Sequence, residues 1–243
     1  LPFIQTGLNP GKNISIDSAM NDSQIAQAVD YGRIVGRSLA SMTDCLIIGE
    51  SLPGGTTTAL AVLRGLGFNA KVSSSIPNNP VDLKNRIVDS ALERLTSDQP
   101  YSIVANLGDP MIAFVTGMLS SASEISKVML AGGTQMTAVL AFASQIGFNE
   151  NNTAIGTTSY ITNDESANFK TLVSEIADIP AIAVDPGLKN SKFSGLKAFS
   201  EGFAKEGVGA GGSIIASMLK TGNNSERFME LSEQEYHRLF TSL

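Results

Sequence analysis

Gly54-Gly55-Thr56-Thr57 is where residue type and spacing most directly offer chemistry in this chain. The stretch follows a short apolar run, Cys45–Ile48. It opens a segment in which Leu60 and Leu63 recur at helical spacing, with Thr56 or Thr57 placed to cap the first turn. A buried strand, a glycine turn and a helix start together make an anion site. Free N–H groups of the first helical turn point out of the loop, and glycine lets a ligand come close to the backbone. Glu50 stands in the same loop. A carboxylate beside a phosphate repels it, so Glu50 is either a solvated loop residue or a group with a chemical task of its own.

Other turns repeat the theme. Gly108-Asp109 follows the apolar run Tyr101–Leu107, with Asp109 placed to cap a helix. Gly132-Gly133 follows Lys127–Ala131, and Thr134 and Gln135 open the next helical pattern. Gly156-Thr157 sits in a β-like stretch, Ala154–Ile161. Turns at the carboxyl ends of parallel strands lie along one edge of a sheet, and ligands bind there, where the strand order reverses. Tight strand-to-helix turns use glycine even without a ligand, but several such turns converging on one edge argue for one. The expected phosphate and ribose contacts are Gly54, Gly55, Thr56, Thr57, Gly108, Asp109, Gly132, Gly133, Thr134 and Gln135. Lys71 and the polar run Ser73, Ser74, Ser75 add side-chain contacts.

The elements that must position these residues alternate along the chain. Helical patterns are expected over Asp22–Met42, from Thr56, after Asn79-Pro80 (Asn79 as cap), over Met111–Leu119, Thr134–Ile146 and Asp164–Ala177. Strands are expected at Cys45–Ile48, Phe68–Val72, Tyr101–Leu107, Lys127–Ala131, Ala154–Ile161 and Ala181–Val184. This order predicts an α/β fold: an open, mostly parallel sheet with helices on both faces, Rossmann-like. From Ser194 no strand pattern remains. An apolar helix, Ser213–Leu219, and a charged one from Ser232 make a small C-terminal helical appendage. The expected organisation is a nucleotide-binding core over 1–193 and a helical segment over 194–243.

Composition narrows the function classes. A chain of 243 residues, 42% hydrophobic, suffices for one sizeable core. A formal net charge of −6 argues against a nucleic-acid or anionic-membrane surface, but not against a small phosphorylated ligand. Cys45 is the one cysteine and His237, in a polar pattern, the one histidine, so serine–histidine catalysis and Cys- or His-based zinc chemistry are disfavoured. No apolar run is long enough to span a bilayer and no signal peptide is visible, so the expected setting is cytoplasmic. The chain begins Leu1-Pro2 without a methionine, which raises the expectation of a lost N-terminal segment.

Three segments carry a family resemblance. Glu50–Leu60 with its preceding glycine, GESLPGGTTTAL, is similar to the GExGxGNTT loop of the nicotinate-nucleotide:dimethylbenzimidazole phosphoribosyltransferase family, and to the ESxPGGTTTAL form of its divergent archaeal and cyanobacterial branch. GGTQMTAVLAF resembles the second signature, GGxxxxA and a helix after a strand. EGVGAGG resembles the third, GEGTGA. The matches come in family order. The departures are the missing Asn of the first loop, the replacement of a glycine-rich loop by Val72–Pro77, and the lack of a counterpart to the N-terminal part that helps form the base pocket.

The resemblance implies a reaction: transfer of a 5-phosphoribosyl group from nicotinate mononucleotide to 5,6-dimethylbenzimidazole or a related purine-like base, giving an α-riboside phosphate for the cobamide lower ligand. It implies that Glu206 is the catalytic base, the alternative for this residue being a helix-capping acid. Glu50 then serves as a second, supporting carboxylate. No cofactor or metal is implied, since the phosphate is only anchored, and the family is homodimeric. A noncatalytic nucleotide- or cobamide-precursor-binding protein is the alternative. A dinucleotide oxidoreductase is disfavoured, because no strand is followed by GxGxxG with an acidic residue at the next strand end.

Overall fold

The computed structural model describes residues 3–240; Leu1-Pro2, the chain start discussed above, lies outside the described residues. Four strands, β1 (Cys45–Gly49), β2 (Lys127–Ala131), β3 (Thr153–Thr158) and β4 (Ala181–Val184), form one sheet in the order β1-β2-β3-β4, every pair parallel. The helices are α1 (Asp22–Ala40), α2 (Gly55–Gly65), α3 (Val81–Glu93), α4 (Pro100–Leu107), α5 (Pro110–Ala122), α6 (Thr134–Ile146), α7 (Ser159–Thr162), α8 (Phe169–Ile176), α9 (Ser194–Lys197), α10 (Ala210–Thr221) and α11 (Ser225–Phe240).

The alternation of side chains along β2 divides the interior. Val128 and Leu130 join Ile48, Ile155 and the apolar faces of α5 and α6 in the main core. Met129 and Ala131 point to the opposite face, where α10 lies across the sheet. There the Ala131 Cβ would stand 2.4 Å from a Cβ placed on Gly212, and the Met129 sulfur 2.7 Å from one on Gly156. Helices therefore cover both faces, and α10 can sit this close because glycine occupies the contact points. On the main-core side α1 and α5 approach equally closely: a Cβ on Gly32 would lie 2.0 Å from the Phe114 carbonyl oxygen, and one on Gly117 2.1 Å from that of Val29.

The structure corrects several expectations. Tyr101–Leu107 is helical, not a strand. A short apolar run does not reveal its period, and Pro100 in the first turn with buried Ile103, Val104 and Leu107 decides for the helix. Residues 68–72 form no strand. Side chains satisfy part of their polar backbone instead: that of Asn168 accepts from the Lys71 N–H (2.7 Å) and donates to the Asn69 carbonyl (2.9 Å), and that of Asn79 donates to the Val72 carbonyl (2.8 Å). The helix expected from Asp164 starts at Phe169, since Asp164 turns its side chain to other partners. Helix α2 begins at Gly55 with Gly54 at its cap position and no side-chain cap, so neither Thr56 nor Thr57 caps it. Asn79 does not cap α3, and bonds Val72 and Ser166 instead. Finally, the strand order contains no reversal, so the expected switch-point crevice does not exist. Among the described residues no helix is long and apolar enough to cross a membrane.

Candidate active site

At the carboxyl ends of β1, β2 and β3 the loops enclose a cavity of about 440 Å³. One wall is the turn before α2. Gly54 takes a left-handed φ of 76°, which turns the chain sharply into the helix. Gly55 packs so near Gln135 that a Cβ would come within 2.9 Å of its amide nitrogen. A second wall is the start of α6, where Gly133 occupies the cap position, again without a side-chain cap. Two helix N-termini without capping side chains thus face one space, which favours an anion between them. Glu50 leaves β1 into the same cavity. Its Oε2 accepts from the Leu52 N–H (2.9 Å), and burial, aided by the charge of Asp109, pushes its carboxyl above the usual range.

The opposite wall is the loop before α10. Glu206 is held there at both carboxylate oxygens. Oε1 accepts from the Gly211 N–H in the first turn of α10 (2.7 Å). Oε2 accepts from the Thr158 N–H (2.7 Å) and the Thr157 hydroxyl (3.2 Å) at the end of β3. The residue is therefore a helix-capping acid by contact and also a cavity-lining carboxylate. Burial outweighs these bonds and raises its pKa. The loop itself is strained: Ala204 and Val208 both lie in the left-handed region, at φ 50° and 54°, which is uncommon for alanine and an outlier for valine.

A cationic corner closes the cavity. Lys84, 5% exposed, reaches from α3 to the Ser73 carbonyl and the Asn79 side-chain oxygen, both at 2.8 Å. Burial first, and then the like charge of Lys205, bring its pKa down to about 8. Lys205 pairs with Asp164 at 2.7 Å. Burial works against the Asp164 charge, but the bonds from Lys205, Ser166 and Ser73 together overcome it and hold the carboxyl at about 2. Among the described residues no three His, Cys, Asp or Glu side chains gather as a metal site.

A family model described as "Phosphoribosyltransferase" matches residues 5–159, more than half of the chain. A UPF0284 protein of Archaeoglobus fulgidus is 41% identical over 239 residues, a match covering 98% of this chain and 68% of the relative. The chain belongs to the phosphoribosyltransferase family. A UPF0284 protein of Sulfurisphaera tokodaii, 43% identical over 249 residues, is covered to 70% of its length. These relatives place the chain in the family's divergent archaeal branch. The crystal structure of nicotinate-nucleotide-dimethylbenzimidazole phosphoribosyltransferase from Thermus thermophilus superposes on 72% of this chain with a TM-score of 0.59 at 20% identity, which shows the shared fold. This chain spans about half of that one, 52%.

Within this family member the structure gathers most of the expected residues. Glu50, Gly54, Gly55, Thr56, Thr57, Ser73, Ser74, Ser75, Gly133, Thr134, Gln135 and Glu206 line the one cavity. Four do not. Lys71 is exposed on the 68–72 loop and Gly132 lies behind the α6 turn, where a Cβ would meet Met136 at 2.6 Å. Gly108 joins two helices, α4 and α5, and contacts the Val104 carbonyl. Asp109 is a buried cap of α5, accepting from the Ile112 N–H (2.9 Å) and the Thr58 hydroxyl (2.5 Å). Asp109→Ala should accordingly cost about 0.5–2 kcal/mol of stability, the usual range for a lost N-cap, which a urea midpoint measures. Sequence reasoning placed Thr157 in a turn at the ligand edge without giving it a role, and missed Lys84, Lys205, Asp164 and Thr158. Lys84 lies in a helical stretch with Asp82, Arg86 and Asp89, where a lysine reads as solvated. No local pattern pointed to the others.

Proposed function

We propose that the protein moves a 5-phosphoribosyl group from nicotinate mononucleotide to 5,6-dimethylbenzimidazole or a related base, releasing nicotinate. The observation that carries the reading is the meeting of two carboxylates of raised pKa, Glu206 and Glu50, with an anion-favouring wall in one cavity. The phosphate sits between the first turns of α2 and α6, with Lys84 as its cation. The C1′–N bond to nicotinate breaks, and its electron pair neutralises the pyridinium nitrogen, so this leaving group needs no acid. Positive charge builds on the ribose as in other glycosyl transfers, and a carboxylate beside it, Glu50, stabilises that charge. The incoming imidazole nitrogen forms the new bond to C1′ from the opposite face, which turns the β-nucleotide into an α-riboside phosphate. The proton on its other nitrogen passes to Glu206, whose raised pKa suits a general base.

Incubation with nicotinate mononucleotide and a panel of bases, followed by mass spectrometry, tests the reading: α-riboside phosphate should appear with at least one base. Glu206 also caps α10, a role that requires no catalysis, and this favours a second reading as a binding protein. Tight mononucleotide binding by calorimetry without product from any base would select it.

Lys84 gives the nucleotide subsite a pH signature. The lysine is charged in the free protein below about pH 8 and neutral above. A dianionic phosphate demands the charged form, so binding above that pH must also take up a proton. Mononucleotide affinity measured by calorimetry should be nearly flat from about pH 7, where the phosphate is mostly dianionic, to about 7.5, and fall up to tenfold per pH unit above about 8. Lys84→Met should bind weakly throughout and lose this slope.

A further inference from the structure

We propose that Lys205, clamped by Asp164 and Ser73, is a positioning residue that sets where the Glu206 carboxylate stands against the nucleotide loops. The inference rests on the reading of Glu206 as the base. Ala204 and Val208, on either side of the Lys205–Glu206 pair, hold left-handed backbone that non-glycine residues keep only when their surroundings impose it. The imposing contacts meet at Lys205. The Ala204 N–H donates to the Ser75 carbonyl (2.8 Å), and the Lys205 carbonyl accepts from the Thr158 hydroxyl (2.7 Å). The Lys205 Nζ stands 2.7 Å from Asp164 Oδ2 and 3.5 Å from Ser73 Oγ, and Ser73 Oγ itself donates to Asp164 Oδ2 at 2.5 Å. Asp164 is fixed in turn by the Ser166 N–H and hydroxyl.

This ion pair is not a surface one. The Lys205 and Asp164 side chains are 11% and 9% exposed, so removing either leaves the other charge without its counter-ion and with little water. Lys205 and Glu206 reach in different directions from adjacent positions. One side chain ties to the loop carrying Ser73, which also bonds the Thr134 hydroxyl of the second anion wall. The next ties to β3 and α10. The pair thereby fixes the spacing between the base and the nucleotide subsite.

The test compares wild type with Lys205→Met and Lys205→Arg, read by steady-state kinetics and by hydrogen exchange of peptides spanning 203–212. Displacement of a catalytic group by about 1 Å is typically worth about a hundredfold, so Lys205→Met should lose roughly 10- to 100-fold in kcat with nucleotide KM nearly unchanged. The 203–212 peptides should exchange faster while those of α1 keep wild-type rates, and Lys205→Arg should recover both. A raised nucleotide KM at unchanged kcat would make Lys205 a phosphate ligand and overturn the proposal. Wild-type exchange over 203–212, or an Arg variant as defective as Met, would overturn it too. Exchange needs no turnover, so an inactive wild type would sink the phosphoribosyl reading while leaving this measurement to decide the positioning one. Should Lys205→Met not fold, the double variant Lys205→Met/Asp164→Leu removes both members of the ion pair and carries the same readouts.

Discussion

Glu206→Gln is expected to lower kcat by about two to four orders of magnitude, the usual worth of a general base, with mononucleotide affinity little changed. The structure adds a complication to this familiar substitution. Both carboxylate oxygens of Glu206 accept from backbone N–H groups, of Gly211 on one side and Thr158 on the other. Glutamine offers one oxygen and an NH2 group, so whichever way the amide turns, one N–H faces another donor. Part of the defect therefore comes from a disturbed loop. A base supplied already deprotonated separates the two: loss of proton acceptance is rescued, displacement is not. The pH profile separates them as well. Burial raises the Glu206 pKa and the carboxylate is the active form, so wild-type kcat/KM should climb below that pKa, level off above it, and fall again above about pH 8 as Lys84 loses its charge. In Glu206→Gln the Glu206 part of this acid limb should be lost, leaving only the shallower part that comes from ionising Glu50. Glu50→Gln should keep the Glu206 part, and its defect should persist with the deprotonated base, because its proposed work is on ribose charge. Near-wild-type turnover by Glu206→Gln would remove Glu206 from the chemistry.

What the sequence revealed and what it concealed follow from the range of the interactions. The Gly54–Thr57 turn, the Gly133–Gln135 turn and strands β1, β2 and β4 were legible because each depends on neighbours a few residues away: an apolar run, a glycine, a helical period. Tyr101–Leu107 defeated the same reasoning, since seven apolar-rich residues suit a buried strand or a buried helix alike. Asp109 was read both as a cap and as a ligand contact, and local spacing alone does not tell the two apart. The order of strands was invisible, because nothing local encodes which parallel neighbour a strand chooses. The cationic corner was hidden most completely. Lys205 meets Ser73 across 132 positions of sequence, and Asp164 meets it across 91. The resemblance supplied Glu206, in the same segment as Gly211, but not Thr157 and Thr158, which are brought to it by packing α10 on the sheet.

That packing makes Gly211→Ala the second variant with a large expected effect. A Cβ on Gly211 would stand 2.1 Å from the Thr157 carbonyl carbon, 2.4 Å from its Cα and 2.5 Å from its oxygen. All three are backbone atoms of a buried strand, so no side chain can swing aside, and α10 must move away from β3. Overpacking of this kind typically costs about 1–3 kcal/mol, and in a chain of this size each kcal/mol lowers Tm by about 2–4 °C. The stability loss is the smaller consequence. Glu206 bridges the two elements the new methyl pushes apart, holding Gly211 of α10 with one oxygen and Thr157 and Thr158 of β3 with the other. Separation by even 1 Å breaks one side of the bridge and swings the carboxylate, which is typically worth about a hundredfold in rate. Gly211→Ala should therefore fold, melt several degrees lower and lose about two orders of magnitude in kcat. Ser213→Ala, on the exposed side of the same helix, should change neither. Calorimetric melting beside turnover measures both quantities, and a Gly211→Ala enzyme with wild-type kcat would mean that the proposed base does not depend on the junction of α10 with β3.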